Sequence, residues 1–341
     1  MNFTNIFNNT FRNLFSIDAA YFAIAALGLN VQFGYAGLLN FGQAGFMAAG
    51  AYGMGMTSHY WLVSPWMGVG FAVIYSVVLG LLMGVPTLRL RADYLAIVTI
   101  ATAEVIRLLV RSVKFKAQFG GSDGINNFAD QFYRTKLKPF GWIHNGERYG
   151  FGPFKYGGRD LRIMIVAWLL VGLFGVLVWL MMRSPWGRVL KGIREDEDAV
   201  RSLGKNVFAY KMQALVIGGV IGSFAGLVFA ISRGSVQPDN YSRDVTFYIL
   251  TALVLGGVAK VSGSIVGPML FWMVLSFFDS LLSEAADKNG QFAFFGIKLI
   301  RQSSDIGQFR LMLVGLGLML LMIFRPQGIF GNRKEMALDG R

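Results

Sequence analysis

RSPWGRVLKGIREDEDAVRSLGKNVFAYK, residues 183–211, is the densest charged run of the chain, and long apolar segments flank it on both sides. Seven of its 29 residues are Lys or Arg, and Glu195, Asp196, Glu197 and Asp198 follow one another without a break. At about 100° per residue, Ile193, Val200 and Leu203 fall along one flank of a helix, with Ala199 and Gly192 beside them. Arg194, Glu195, Asp198, Arg201 and Lys205 gather on the other side. Glu197 and Arg201 make an i,i+4 pair in the favoured order, and Arg194 with Asp198 is another pair of opposite sign. The spacing predicts a short amphipathic helix outside the bilayer, ending near Gly204 as its C-terminal cap. Two readings stand for it: a solvated connector between two spans, or a docking surface for another protein.

Around this stretch the composition is that of a membrane protein. Of 341 residues, 54% are hydrophobic and 15% charged, and the mean hydropathy is +0.51, which excludes an ordinary soluble domain. Forty-three glycines against eight prolines suit helices whose backbones approach closely. The net charge of +13 would suggest nucleic acid in a soluble protein. In a membrane protein Lys and Arg more often hold the cytoplasmic side and face anionic lipid, and no nucleic-acid-binding pattern occurs. There is no cysteine, and with only His59 and His144 a zinc site is not expected. No metal ligands and no catalytic residues are expected. No P-loop exists, since Gly204-Lys205 is followed by Asn206 and the glycine spacing is wrong, so the chain cannot hydrolyse a nucleotide in that way. No nucleophile–base pattern favours an intramembrane enzyme. Residues 1–16 hold a single basic residue, Arg12, and no cleavable signal is expected.

Nine spans are predicted, near 17–31, 34–55, 67–88, 94–109, 161–182, 212–231, 245–259, 265–281 and 308–324. The second, GYAGLLNFGQAGFMAAGAYGMG, is broken by seven glycines and carries Asn40 and Gln43. Such a segment either lines a cavity or packs tightly through small-residue contacts such as Gly42–Phe46–Gly50. The fourth holds Glu104 at membrane depth, with Arg107 and Arg111 on the same face. An acid there needs a partner or a role in a pathway, and a Glu104–Arg107 pair fixing the helices satisfies the first condition.

Placing 183–211 inside also places Arg89, Arg91, Lys260 and the tail 325–341 inside, fourteen basic residues in all. The hydrophilic stretch 113–160 then lies outside as a folded loop, although it carries eight Lys or Arg. On this count the chain is one domain, 1–341, with its C-terminus cytoplasmic.

Five stretches carry a resemblance: LNVQFGYAGLLNFGQAGFMAAGAY (29–52), GVPTLRLRADYLAIVTIATAEVIRLLVRS (84–112), the charged run 183–211, LGGVAKVSGSIVGPMLFW (255–272) and VGLGLMLLMIFRPQGIFG (314–331). They resemble the LivM-type permease subunit of bacterial ABC importers for branched-chain amino acids, in wording closest to actinobacterial members. The resemblance covers nearly all the chain and weakens in 113–160 and 283–307, apart from GGSDGI at 120–125. It implies an all-α polytopic bundle of the bacterial plasma membrane, about nine (eight to ten) spans with a cytoplasmic coupling helix. It implies a second, homologous permease, two cytoplasmic ATPase subunits that bind ATP and Mg, an extracytoplasmic binding protein, and no cofactor in this chain. Gly192 to Gly204 would be the segment that enters a groove on the ATPase. Arg194, Glu195, Asp196, Glu197, Asp198 and Arg201 would be its polar contacts, and Ala199, Val200 and Leu203 its packed stripe. Substrate would pass polar breaks at Asn30, Gln32, Asn40 and Gln43, with Glu104 a further candidate. Urea or short-chain amides are the rival cargo. A secondary transporter would show more buried carboxylates, and a channel would need no docking helix.

Overall fold

The computed structural model describes residues 3–60, 65–88, 92–129, 147–150, 155–285, 292–294, 297–300, 305–324 and 328–331. Arg89, Arg91, His144, most of the stretch 130–154 and the tail beyond 331 lie outside these residues. The described chain is almost wholly helical: α1 (Phe3–Leu14), α2 (Ile17–Leu29), α3 (Gln43–Tyr60), α4 (Pro65–Thr87), α5 (Ala92–Arg111) and α6 (Gly158–Arg183). Two short helices follow, α7 (Pro185–Glu195) and α8 (Glu197–Ser202), then α9 (Val207–Arg233), α10 (Arg243–Gly256), α11 (Val261–Ala285) and α12 (Asp305–Phe324).

Eight of the nine predicted spans fall mainly on one helix each, the second is interrupted, and α1 is one that hydropathy did not separate. Its residues alternate Phe and Ile with Asn and Thr, which gives it an apolar face without making it apolar overall. Five stretches of the described helices are long and apolar enough to cross a membrane: 6–35, 66–87, 158–183, 207–233 and 261–284. At about 1.5 Å per residue, the 14 residues of α10 do not match a bilayer core of about 30 Å.

Ser16 starts α2, its hydroxyl accepting from the Ala19 amide at 3.1 Å, and Asp18 sits in the first turn, where the helix dipole favours an acid. Beyond that turn every residue of α2 is buried, as expected of a helix apolar on all sides and enclosed by others. It packs on α9, α11 and α6, and α3 packs on α9 and α4.

Glycines set these contacts. A methyl group at Gly28 would lie 2.4 Å from the Gly218 carbonyl, one at Gly50 2.1 Å from the Ser223 carbonyl, and one at Gly226 1.9 Å from the Met47 carbonyl. Lipid offers no hydrophobic driving force between helices, so backbone approach and dispersion hold this core together. The apolar rows on α5 (Ile97, Val105, Leu108) and α6 (Leu169, Leu173, Val176, Leu180) face outward instead.

The two ends of the bundle differ. One gathers α7, α8, the turn between α10 and α11, and residues 328–331, whose Ile329 and Phe330 amides bond the Leu255 and Gly256 carbonyls at 3.0 Å. The other holds the described part of 113–129. There Ile125–Asn126 pairs antiparallel with Ser235–Val236 just past α9.

Candidate functional site

The second predicted span is not a continuous helix. The backbone of α2 widens into a π-helical turn over Asn30–Tyr35, runs without helix from Ala36 to Gly42, and resumes as α3 at Gln43. Breaking a helix inside a protein frees backbone donors and acceptors that must find other partners. Side chains supply them. Asn30 accepts from the Ala259 amide at 2.9 Å and donates to the Lys260 carbonyl at 3.2 Å, clamping the π turn to the turn between α10 and α11. Gln32 donates to the Leu215 carbonyl of α9 at 2.9 Å, and its own carbonyl accepts from Asn40 Nδ2 at 2.7 Å.

Asn40 Oδ1 in turn accepts from the Gly42 amide at 2.8 Å. Two threonines complete the set: Thr99 Oγ1 accepts from the Phe41 amide at 3.1 Å and Thr246 Oγ1 from the Ala44 amide at 2.9 Å. The sequence reading missed both, because a threonine in an apolar span carries no period that marks it as a cap for another helix. Gln43 donates weakly to the Ala25 and Gly218 carbonyls at 3.3 and 3.5 Å, while its buried Oε1 has no hydrogen bond.

Asn30, Gln32, Asn40 and Gln43, expected along a substrate path, thus gather at the break, but in this conformation they are 0–2% exposed and close it rather than line an opening. Of the two readings of the glycines, the close packing is what this conformation shows: Gly42 and Gly50 stand against backbone.

Glu104 lies apart from them. Its carboxylate takes a two-point contact from Arg107, Oε1 to Nη2 at 2.6 Å and Oε2 to Nε at 3.0 Å. Arg107 and Arg111 also reach Asp239 at 2.7 and 3.1 Å, tying α5 to the connection after α9. Of the two readings given for Glu104, the structure shows the pair with Arg107.

The charged run departs from the expected single helix. Asp196, at φ −152°, ends α7 and starts α8, its Oδ1 accepting from the Asp198 and Ala199 amides at 3.0 Å each. A carboxylate two and three residues before free amides competes with helix continuation, and here the cap wins. The break rotates α8 relative to α7, which corrects the predicted flank. Ile193 and Val200 turn inward, Gly192 faces Val200, and Ala199 and Leu203 stay exposed, Leu203 at 78%. The Glu197–Arg201 pair forms at 2.9 Å, Arg201 also holds Asp198 at 2.6 Å, and Lys211 bonds Glu197. Gly204, at φ +74°, stands past the end of α8 as expected of a left-handed cap, its amide bonding the Arg201 carbonyl at 2.9 Å. Glu195 and Lys205 are exposed.

Arg194 joins the two regions. Its Nη1 donates to the Gly34 carbonyl at 2.6 Å, at the end of the π turn, and its side chain lies over Gly37. Gly37 has φ +68°, and a Cβ there would stand 3.2 Å from Arg194 Cγ. One turn earlier, the Lys191 ammonium is 5.9 Å from the Tyr35 ring centre. So α7 sits directly on the carbonyl end of the interrupted helix.

Residues 13–322 match the family described as the permease component of branched-chain amino acid transport systems. The chain belongs to that family. Among relatives, the high-affinity branched-chain amino acid transport system permease protein LivM of Escherichia coli K12 is 33% identical over 314 residues, which cover 90% of this chain and 67% of that one. Its Salmonella typhimurium counterpart is 33% identical over 324 residues, covering 92% and 69%. A probable LivM of Methanocaldococcus jannaschii is 25% identical over 349 residues, covering 91% and 90%. As a permease component with several apolar helices, the chain is a multi-pass membrane protein.

Proposed function

We propose that this chain is the membrane-spanning subunit of an ATP-binding-cassette importer and carries branched-chain amino acids inward by alternating access. The observation that supports the cargo is the 33% identity to a LivM protein along 90% of the chain. The power comes from elsewhere: ATP bound by two partner ATPase subunits at the α7–α8 end, which is then cytoplasmic, as is the C-terminus. A second, homologous permease completes the path, and an extracytoplasmic binding protein delivers the substrate.

In this reading the exposed residues Glu195 at the end of α7, Asp196 at the break, Ala199 on α8 and Leu203 just past it form the face that enters the ATPase groove. ATP-driven closure moves α7 and α8 as a unit. Arg194 carries that movement to the Gly34 carbonyl, where the amide network of Asn30, Gln32, Asn40 and Gln43 separates and opens a polar passage. Gln43 Oε1, buried without a bond, is the group that gains a partner on opening. Conformational bias can come only from a difference in affinity between the two states, and ATP on the partners supplies it.

The test is the assembled complex in proteoliposomes, offered labelled leucine and labelled urea separately, with ATP and the binding protein each present or omitted. Leucine uptake that needs both is expected. ATP-dependent urea uptake would keep the architecture and replace the cargo; uptake driven by a proton or sodium gradient without ATP would overturn the reading.

A further inference from the structure

A cavity of about 670 Å³ opens beside α6 at the end of the bundle that carries α7, within the size range of ligand sites of about 300–1,000 Å³. Its floor is apolar. Gly172 and Gly175 remove side chains from one face of α6, and Val261 and Ile265 of α11 form the facing wall. Its rim is basic: Arg183 at the end of α6, Lys191 on α7 and Lys260 in the turn before α11 all line it, and no carboxylate does. Among the described residues none of these three cations is paired with an acid. Aromatic rings hold two of them, the Arg183 guanidinium 3.9 Å from the Trp179 ring centre and Lys191 near Tyr35.

The mouth opens beside an exposed apolar row. Val176 lines the cavity and is 58% exposed, in one row with Leu169, Leu173 and Leu180 of α6. The site therefore asks for a ligand with a negative head and an apolar body. A soluble anion leaves the apolar floor unfilled, and a neutral lipid leaves three cations uncompensated. We propose that this cavity is a binding site for an anionic phospholipid, its phosphate among Arg183, Lys191 and Lys260 and the start of its acyl chains over Gly172 and Gly175. Basic pockets between helices at one leaflet select such headgroups through charge that has no other partner. The inference does not depend on the cargo of the transporter.

Native mass spectrometry of the full chain in detergent tests it, with dioleoyl phosphatidylglycerol and dioleoyl phosphatidylcholine added in turn. The wild type should retain the anionic phosphatidylglycerol preferentially. Replacing Arg183, Lys191 and Lys260 together by Gln should remove that preference, by about fivefold for each cation neutralised. Gly172→Leu is the second variant: a Cβ at Gly172 meets nothing within 4 Å, so the helix tolerates it while the side chain fills the groove. It should reduce retention of both lipids. Equal retention of the two lipids by the wild type, wild-type retention in both variants, or displacement of the lipid by inorganic phosphate would overturn the proposal. So would a cross-link in the assembled transporter that places a partner chain over Gly172.

Discussion

At the scale of single residues, one carboxylate decides the shape of the charged run. Asp196 holds two amides of α8, and an N-cap of this kind is worth about 1 kcal/mol. Asp196→Asn keeps the acceptor and Asp196→Ala does not. Hydrogen exchange across 197–202 should therefore quicken in the alanine variant and stay near wild type in the asparagine variant. Equal protection in both would show that the cap does not hold α8. Glycines make the converse case. Gly50→Ala places a methyl against the Ser223 carbonyl and should cost about 1–3 kcal/mol or more, read as a lower thermal midpoint. Gly172→Ala meets nothing and should be neutral or stabilising by up to about 1 kcal/mol. The Lys116–Asp123 bond, Nζ to Oδ2 at 2.8 Å, holds the carboxyl below its usual value and the ammonium above. A depressed carboxyl contributes above the ordinary range and is lost as pH falls through the folded value; a raised ammonium contributes below its ordinary range and is lost as pH rises through the folded value. Exchange across 116–124, corrected for the intrinsic rate, should be flat from about pH 5 to 9.

At the scale of elements, the contact between α7 and the end of the π turn is the part of the proposed mechanism most open to attack. Arg194→Ala removes a charge-assisted hydrogen bond of about 1.5–3 kcal/mol, so leucine uptake per ATP hydrolysed should fall about tenfold or more, with assembly intact. Unchanged uptake would detach α7 from the pathway. Gly204→Pro, or charge reversal across Asp196 to Asp198, should likewise uncouple transport while the protein stays in the membrane; normal uptake would sink the coupling role. Most helices were legible, because membrane spans announce themselves through length and apolarity, but the span read over 34–55 did not locate the break at 36–42, since four of its seven glycines sit inside α3. The single helix predicted over 192–204 failed because a wheel weighs only side-chain faces, and Asp196 acts through its backbone neighbours. Arg194 on Gly34 was out of reach for a different reason: the two residues are 160 apart, and no local period encodes that meeting. The same holds for Thr99 and Thr246, which cap a helix neither belongs to.

For the whole molecule, the arrangement is a central helix enclosed by elements from distant parts of the chain, with different chemistry at its two ends. One end ties α5 to Asp239 through arginines and pairs 125–126 with 235–236; the other presents α8 and a basic rim. The enclosure of α2 also imposes an order on biosynthesis. Gly28, Asn30 and Gln32 find their partners on α9 and in the turn after α10, and about 180 residues separate the end of α2 from the start of α9. At about 5–20 residues per second the ribosome needs roughly 10–35 s to supply them. During that interval the amides of the π turn have only lipid, water or the insertion machinery for company. A chain stopped at residue 205 should therefore remain bound to that machinery or be degraded, and one stopped at residue 285 should leave it, which pulse-labelling with cross-linking would time.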